Sequence, residues 1–452
     1  MKTTLNLPRL LCILIMLTIA CKRSSSNDNL GTNIPSHPLR NDKDLDALIA
    51  QMGDAKIVLL GEASHGTAEY YTWRAAISKR LIQEKGFDMI AVEGEWADSY
   101  RVNQFIKGGA KDSLQAVGLL GQYNRWPTWM WGNYEVAGLV TWLNQYNQNK
   151  SAMAKVGFYG LDVYCLWESM QELMPYIQGN DSLMRMAQDV RQCFQPFSAD
   201  PMQYAYSVMN ASENCRAQTQ RLYQAIMNYT GGKTAIDEAQ FVMQQNALVA
   251  LNGENYYRTA ATSNTASWNI RDRHMMATIK RLLEHHGPDA KIIVWEHNTH
   301  VGDARYTDMA KEGMVNVGQL VREEYGQNNV YIVGFGSHSG TVIAANQWGG
   351  NIETMKVPEA KKGSWEDILH RMGAENKILF SNEIKQNPSL MKSVGHRAIG
   401  VQYNPNFESG NYVPTVIPNR YDAFIFIDKT TALRPIPTVV ANEPPDTYPS
   451  GY

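Results

Sequence analysis

Glu62 and His65 stand three residues apart between Gly61 and Gly66, within residues 56–67, KIVLLGEASHGT. The apolar run KIVLL reads as a buried strand, and the glycines as its abrupt end before a helix beginning near Ala68. This sets an acid and a histidine at the carboxyl edge of a sheet, where open α/β folds bind their ligands. Three further apolar runs end in the same way. Residues 87–92 give way to Glu93 and Glu95, residues 154–159 to Asp162, and residues 290–295 to Glu296, His297, Asn298, Thr299 and His300. One loop carboxylate is usually only solvated. Four parallel strands ending in ionisable groups would gather them in one crevice.

Two chemistries suit that crevice. In the first, His65 is a general base, since an imidazole ordinarily titrates near neutrality and a carboxylate from Glu62 or Glu93 would orient it. The activated water would attack a carbonyl, with His297 or His300 stabilising the oxyanion. In the second, His65, His297, His300 and Glu93 hold zinc or manganese, an acceptable catalytic donor set. H-x-x-H on a loop is not the helical HExxH, so spacing leaves both open beside a purely structural cluster; the metal-free base is preferred. Serine nucleophiles have little support. No G-x-S-x-G occurs; residues 336–340, GSHSG, have the wrong spacing and read as a link between two strands. Ser64 adjoins His65, but neighbouring side chains usually point apart.

Arg74 lies about two turns into the first long helix, on the side of Tyr70 and Tyr71, and suits either a solvated face or an arginine aimed at the cluster. Asp162, Trp96, Trp129 and Asn298 are expected to contact substrate. Asn269 and Arg271 are outside candidates, with structural salt bridges the default for that segment.

The elements that must position these groups alternate. Helices are expected over residues 45–52, 68–85 (ending at Gly86), 96–107 and 135–147, with an aromatic loop, RWPTWMW, at 125–131. From about 166 to 287 the chain is rich in Met, Ala, Gln and Leu and reads as a helical insertion. Strands return at 330–334, 341–344, 398–403 and 423–427. The reading is an α/β fold with a mostly parallel central sheet flanked by helices, over residues 38–435, followed by a Pro-rich tail at 436–452.

Of 452 residues, 42 are Lys or Arg and 44 Asp or Glu, and no basic run follows the first 23 residues, which argues against nucleic acid as a partner. Residues 1–20 read as a secretory signal, with Lys2 and Arg9 before the apolar run 10–20. Ala20 before Cys21 resembles a bacterial lipobox, so Cys21 is expected to carry lipid, with 21–37 as a Ser/Asn-rich tether to the cell envelope. An ordinary signal peptide, or an anchor that is never cut, is the alternative. Cys193 and Cys215 are close enough in sequence to bridge; buried free thiols are preferred.

Several segments together resemble the erythromycin esterase-like hydrolases, in that family's order and from about residue 38 to 435. They are GEASHGT, VEGEW, FYGLDVY, WNIRDRHM, WEHNTH and YDAFIFID. The resemblance implies a deep cleft and hydrolysis of a cyclic or other carboxylic ester. His65 would be the base, Glu62, Arg74 and Glu93 would complete the inner site, and His297 and His300 would face them. No cofactor is expected. Glu296 departs from the small residue expected before the histidine. More distant relatives with the Gly-Glu-x-x-His-Gly start include metal-dependent peptidases and haem-binding lipoproteins, which supply the runner-up readings.

Overall fold

The computed structural model describes residues 34–108, 113–198, 200–210, 214–232 and 237–437. The signal segment, Cys21 and most of the proposed tether and tail lie outside the described residues. After a short bridge, β1 (His37–Pro38), and helix α1 (Asp46–Met52), the run IVLL forms β2 (Ile57–Leu60), buried at all four positions. Its side chains alternate: Ile57 and Leu59 pack on one face, Val58 and Leu60 on the other, so both faces are covered.

Helix α2 (Ala68–Lys85) follows, stopping at Gly86 in the left-handed region. Next come β3 (Met89–Glu95), α3 (Trp96–Gly108), α4 (Ser113–Leu120), α5 (Tyr134–Asn147) and β4 (Gly157–Asp162). Six helices then run without a strand: α6 (Leu166–Leu173), α7 (Asp181–Phe194), α8 (Pro201–Asn210), α9 (Arg216–Tyr229), α10 (Glu238–Ala260) and α11 (Asn264–His286). Strand β5 (Ile292–Trp295), a single turn α12 (Asn298–Val301) and α13 (Val317–Tyr325) return to the sheet. The remaining strands are β6 (Val330–Ala345), β7 (Ile352–Val357), β8 (Lys377–Phe380), β9 (Val394–Arg397), β10 (Tyr412–Thr415) and β11 (Ala423–Thr430).

Among the described residues the main sheet runs β1-β8-β11-β6-β2-β5-β3-β4, with β7 hairpinned onto β6. The five pairings from β11 to β4 are parallel; β8 and β1 at one edge, and β7, are antiparallel. The expected α/β class with a mostly parallel sheet is therefore the observed one. Strands β2, β5, β3 and β4 are consecutive neighbours, so their polar carboxyl ends share one edge. Helices α1, α2 and α5 cover one face of the sheet. Helix α11, with α13, covers the other through Met275, Ile279, Leu282, Val317 and Val321.

Three expectations need correction. Residues 330–345 form one 16-residue strand rather than two joined by GSHSG. Gly340, at φ 145°, is there because a Cβ would overlap the Thr430 carbonyl of β11. Residues 398–403 make only isolated bridges from Ile399 to Ser64 and from Gln402 to Ala345; the strand is β9, paired with β10 in a separate ribbon. Cys193 and Cys215 form a disulfide, with Cα atoms 5.8 Å apart, because the end of α7 meets the start of α9; the buried free thiol is Cys165. Helices α6 to α10 share an apolar core of their own, whereas α11 returns to the sheet.

Candidate active site

The turn after β2 is held by tight backbone packing. Gly66 lies against the Ile343 carbonyl, where a Cβ would overlap it, and the amides of Ile343 and Leu433 both donate to Gly66 O. Within this turn the His65 Nδ1–H donates to Glu62 Oε1 at 2.8 Å. Glu62 Oε2 in turn accepts from Arg74 Nη2 at 2.6 Å. All three side chains are at most 2 % exposed. The Arg74 guanidinium is sandwiched between the Tyr71 ring (4.4 Å) and the Trp295 ring (4.6 Å), so α2 and β5 fix it from both sides. The line Arg74–Glu62–His65 commits Nδ1 as donor and leaves the Nε2 lone pair of a neutral imidazole for chemistry.

A second network lies across the neighbouring strand ends. Glu93 Oε1 accepts from Arg271 Nη2 at 2.7 Å and Oε2 from the His297 amide at 2.8 Å. Asp162 takes Arg271 in a fork, Oδ1 from Nε at 2.9 Å and Oδ2 from Nη2 at 2.6 Å. His300 Nδ1 lies 3.0 Å from both Asp272 oxygens, its Nε2 3.3 Å from Glu93 Oε1, and its ring stacks on Trp268 at 4.4 Å. Arg271, whose Nη1 also lies 2.9 Å from His300 Nε2, and the His300 ring are thus embedded among three carboxylates. Burial opposes charge throughout. It is outweighed at His300 by Asp272 and Glu93, which push its pKa up to about 10, and at Glu93 by His300 and Arg271, which hold its carboxyl well below the usual range.

His297 differs from its neighbours. Its Nδ1 accepts from the Thr299 amide and hydroxyl, and its Nε2 has no partner among the described residues. Burial and then the nearby His65 drive its pKa well below the ordinary value. It is a neutral imidazole with an unpaired Nε2–H, and its ring centroid lies 4.9 Å from that of His65.

A cleft of about 70 Å³ opens onto these networks. His65, Glu93, Asp162 and Arg271 line its floor; Glu95, Asp98 and Arg125 add charge to its wall, and Tyr123, Trp131, Tyr164 and Trp348 add aromatic surface.

Of the sequence-derived site residues, Glu62, His65, Arg74, Glu93, Asp162, His297 and His300 are brought together. Three expected substrate contacts are not on the cleft wall. Trp96 is buried on the far face, stacked on Tyr100 and Tyr159. Trp129 is buried in the core beside α5. Asn298 stitches β5 to β6, its Nδ2 donating to Phe335 O and its Oδ1 accepting from Phe335 N. Asn269 clips a loop through Gly313 O and Val315 N, and Ser64 is paired with Thr67 Oγ1 at 2.5 Å. Arg271 is the central cation of the site, and Asp272 was not anticipated; a mid-helix Arg-Asp pair carries no signal that separates it from a solvated one.

Both Glu93 oxygens and both His300 nitrogens already have protein partners, which leaves free only one nitrogen each on His65 and His297. Among the described residues no group of three or more His, Cys, Asp or Glu is placed to hold an ion.

The erythromycin esterase family profile matches residues 82–430, well over half the chain. Erythromycin esterase type II of Escherichia coli is 22% identical over 377 residues, covering 78% of this chain and 87% of that protein. Among solved structures, a Bacillus cereus protein superposes with a TM-score of 0.74 at 21% identity, over 88% of this chain and 96% of that one. A mutant of the erythromycin esterase EreC, in its open conformation, superposes with a TM-score of 0.63 at 15% identity, over 88% and 98% of the two chains. A succinoglycan biosynthesis protein does so with a TM-score of 0.71 at 20% identity, over 88% and 95%. The chain belongs to the erythromycin esterase family, and it is an ester hydrolase.

Proposed function

We propose that the protein hydrolyses a carboxylic ester, cyclic esters included, by a metal-independent route in which His65 activates water. The observation that carries this reading is the Arg74–Glu62–His65 line. It orients an imidazole at the cleft floor with Nδ1 committed and Nε2 free. A water held by Nε2 loses its proton as its oxygen adds to the ester carbonyl carbon. Glu62 stabilises the imidazolium that forms, and Arg74 holds Glu62 in place. His297 donates its Nε2–H to the oxyanion. A neutral donor is suited to this, because it need not surrender a proton of its own. Glu93, Arg271, Asp162 and His300 form the rigid wall that holds the His297 backbone through its amide.

The names of the E. coli relative and of EreC support a macrolactone-type substrate, and Tyr123, Trp131, Tyr164 and Trp348 give the cleft wall apolar surface for contact with the substrate. We further propose that the protein acts at a bacterial envelope, tethered through lipid on Cys21. The Cys193–Cys215 disulfide supports an oxidising compartment. A panel of esters and lactones, run on wild type and His65→Ala with and without chelator, tests the reading. Turnover that vanishes in His65→Ala and ignores chelator supports it. Turnover that chelator removes and zinc or manganese restores would overturn it.

A further inference from the structure

Glu93 and Glu95 lie two residues apart on β3 and both line the cleft, where the register with β4 shifts between Val92 and Glu95. Their surroundings are opposite. Glu93 is surrounded by Arg271, His300 and the His297 amide. Glu95 has one cation near it: its Oε1 accepts from Arg125 Nη1 at 3.1 Å, and its Oε2, buried, has no partner among the described residues. An oxygen left without a donor in that position is where a carboxylic acid carries its proton. Arg125 itself rests on the Tyr164 ring at 4.2 Å, which fixes the Glu95 carboxyl by its other oxygen. We propose that Glu95 is the general acid that protonates the leaving alcohol.

This assignment rests on the hydrolase reading above and supplies the half of the reaction that His65 does not. His65 takes a proton from water as its oxygen bonds to the carbonyl carbon. The tetrahedral intermediate then collapses: the C=O double bond re-forms and the C–O bond to the alcohol breaks. The leaving oxygen keeps that electron pair and takes the Glu95 Oε2 proton. Glu95 remains as a carboxylate beside Arg125, and the proton on His65 returns to it through solvent. The net change is ester plus water to acid plus alcohol. Burial, opposed by Arg125 and aided by Asp162, Glu168 and Asp98, pushes the Glu95 pKa up to about 8, which keeps the acid loaded at neutral pH.

General acid catalysis matters most when the leaving group is a poor one. The test compares ethyl butyrate with 4-nitrophenyl butyrate, which share an acyl group but differ widely in leaving-group basicity. Wild type, Glu95→Gln and Glu95→Asp are assayed for kcat/KM, and circular dichroism checks that each is folded. Glu95→Gln keeps the acceptor for Arg125 but has no proton to give. It should lose about 100-fold or more on the ethyl ester and far less on the nitrophenyl ester, so their rate ratio widens by at least tenfold. Glu95→Asp, with a proton but a shorter reach, should recover part of the ethyl ester rate. Equal losses on both esters, or no loss on the ethyl ester, would overturn the assignment. A wild type that cleaves neither ester overturns the reading it rests on, and the assignment with it.

Discussion

Replacing Glu296 by methionine should make the fold more tolerant of rising pH. Its carboxyl is fully buried and neither oxygen has a partner among the described residues. Burial, opposed by His300 and aided by Glu93 and Asp272, holds its pKa well above the usual carboxylate range. In the unfolded chain a glutamate releases its proton above about pH 4.3. The folded state therefore retains a proton that the unfolded state has lost, and stability falls as pH rises from there toward the folded pKa. One such proton gives a slope of about 1.4 kcal/mol per pH unit, or roughly 3 kcal/mol from pH 5 to pH 7. Methionine has similar length, no proton and no polar atom to leave unpaired, so the variant lacks this slope. Urea unfolding of both proteins at pH 5, 6 and 7 reads the difference directly. The stability of Glu296→Met relative to wild type should grow by about 1.4 kcal/mol per pH unit. Parallel pH dependences would refute a neutral, buried Glu296.

Arg74→Ala leaves the Glu62 charge buried beside two emptied ring faces, and should cost about 3–5 kcal/mol of stability with at least a tenfold loss of kcat/KM. Lysine at 74 should restore only part, since it keeps the charge but not the planar stack; wild-type stability in Arg74→Ala would contradict this. His297→Ala should lower kcat about 100-fold with little change in KM, as expected of a donor used mainly in the transition state; a loss confined to KM would count against the role. Removing the disulfide with paired serines releases a loop closed over 22 residues, which should cost about 3 kcal/mol, read as a lower denaturation midpoint; an unchanged midpoint would argue that the bridge contributes nothing.

Much of this site could be read from strand ends alone. KIVLL followed by a Gly-flanked acid and histidine has few structural interpretations, and the same pattern at Glu93, Asp162 and His297 locates the crevice because parallel strands end together. Other features depend on packing that no local pattern encodes. Arg271 and Asp272 sit mid-helix, where charges are usually solvated, and their importance appears only once α11 crosses the ends of β3 and β4. Trp96 and Trp129 adjoin chemical motifs in sequence, yet α3 and the aromatic loop turn them into the core. Asn298 follows a histidine of the site but points along the sheet toward β6. GSHSG reads as a turn because glycine serves both turns and close strand packing, and only the presence of β11 beside Gly340 separates the two.

The central claim is that His65 is the base and that no other residue replaces it. The direct measurement is kcat/KM for an ester that the wild type hydrolyses, compared between wild type and His65→Ala, with thermal unfolding of both proteins followed in parallel. The account predicts a loss of about 100-fold to 10,000-fold with the fold intact, in line with what a positioned general base supplies. A folded His65→Ala protein that retained turnover within a few-fold of wild type would contradict it.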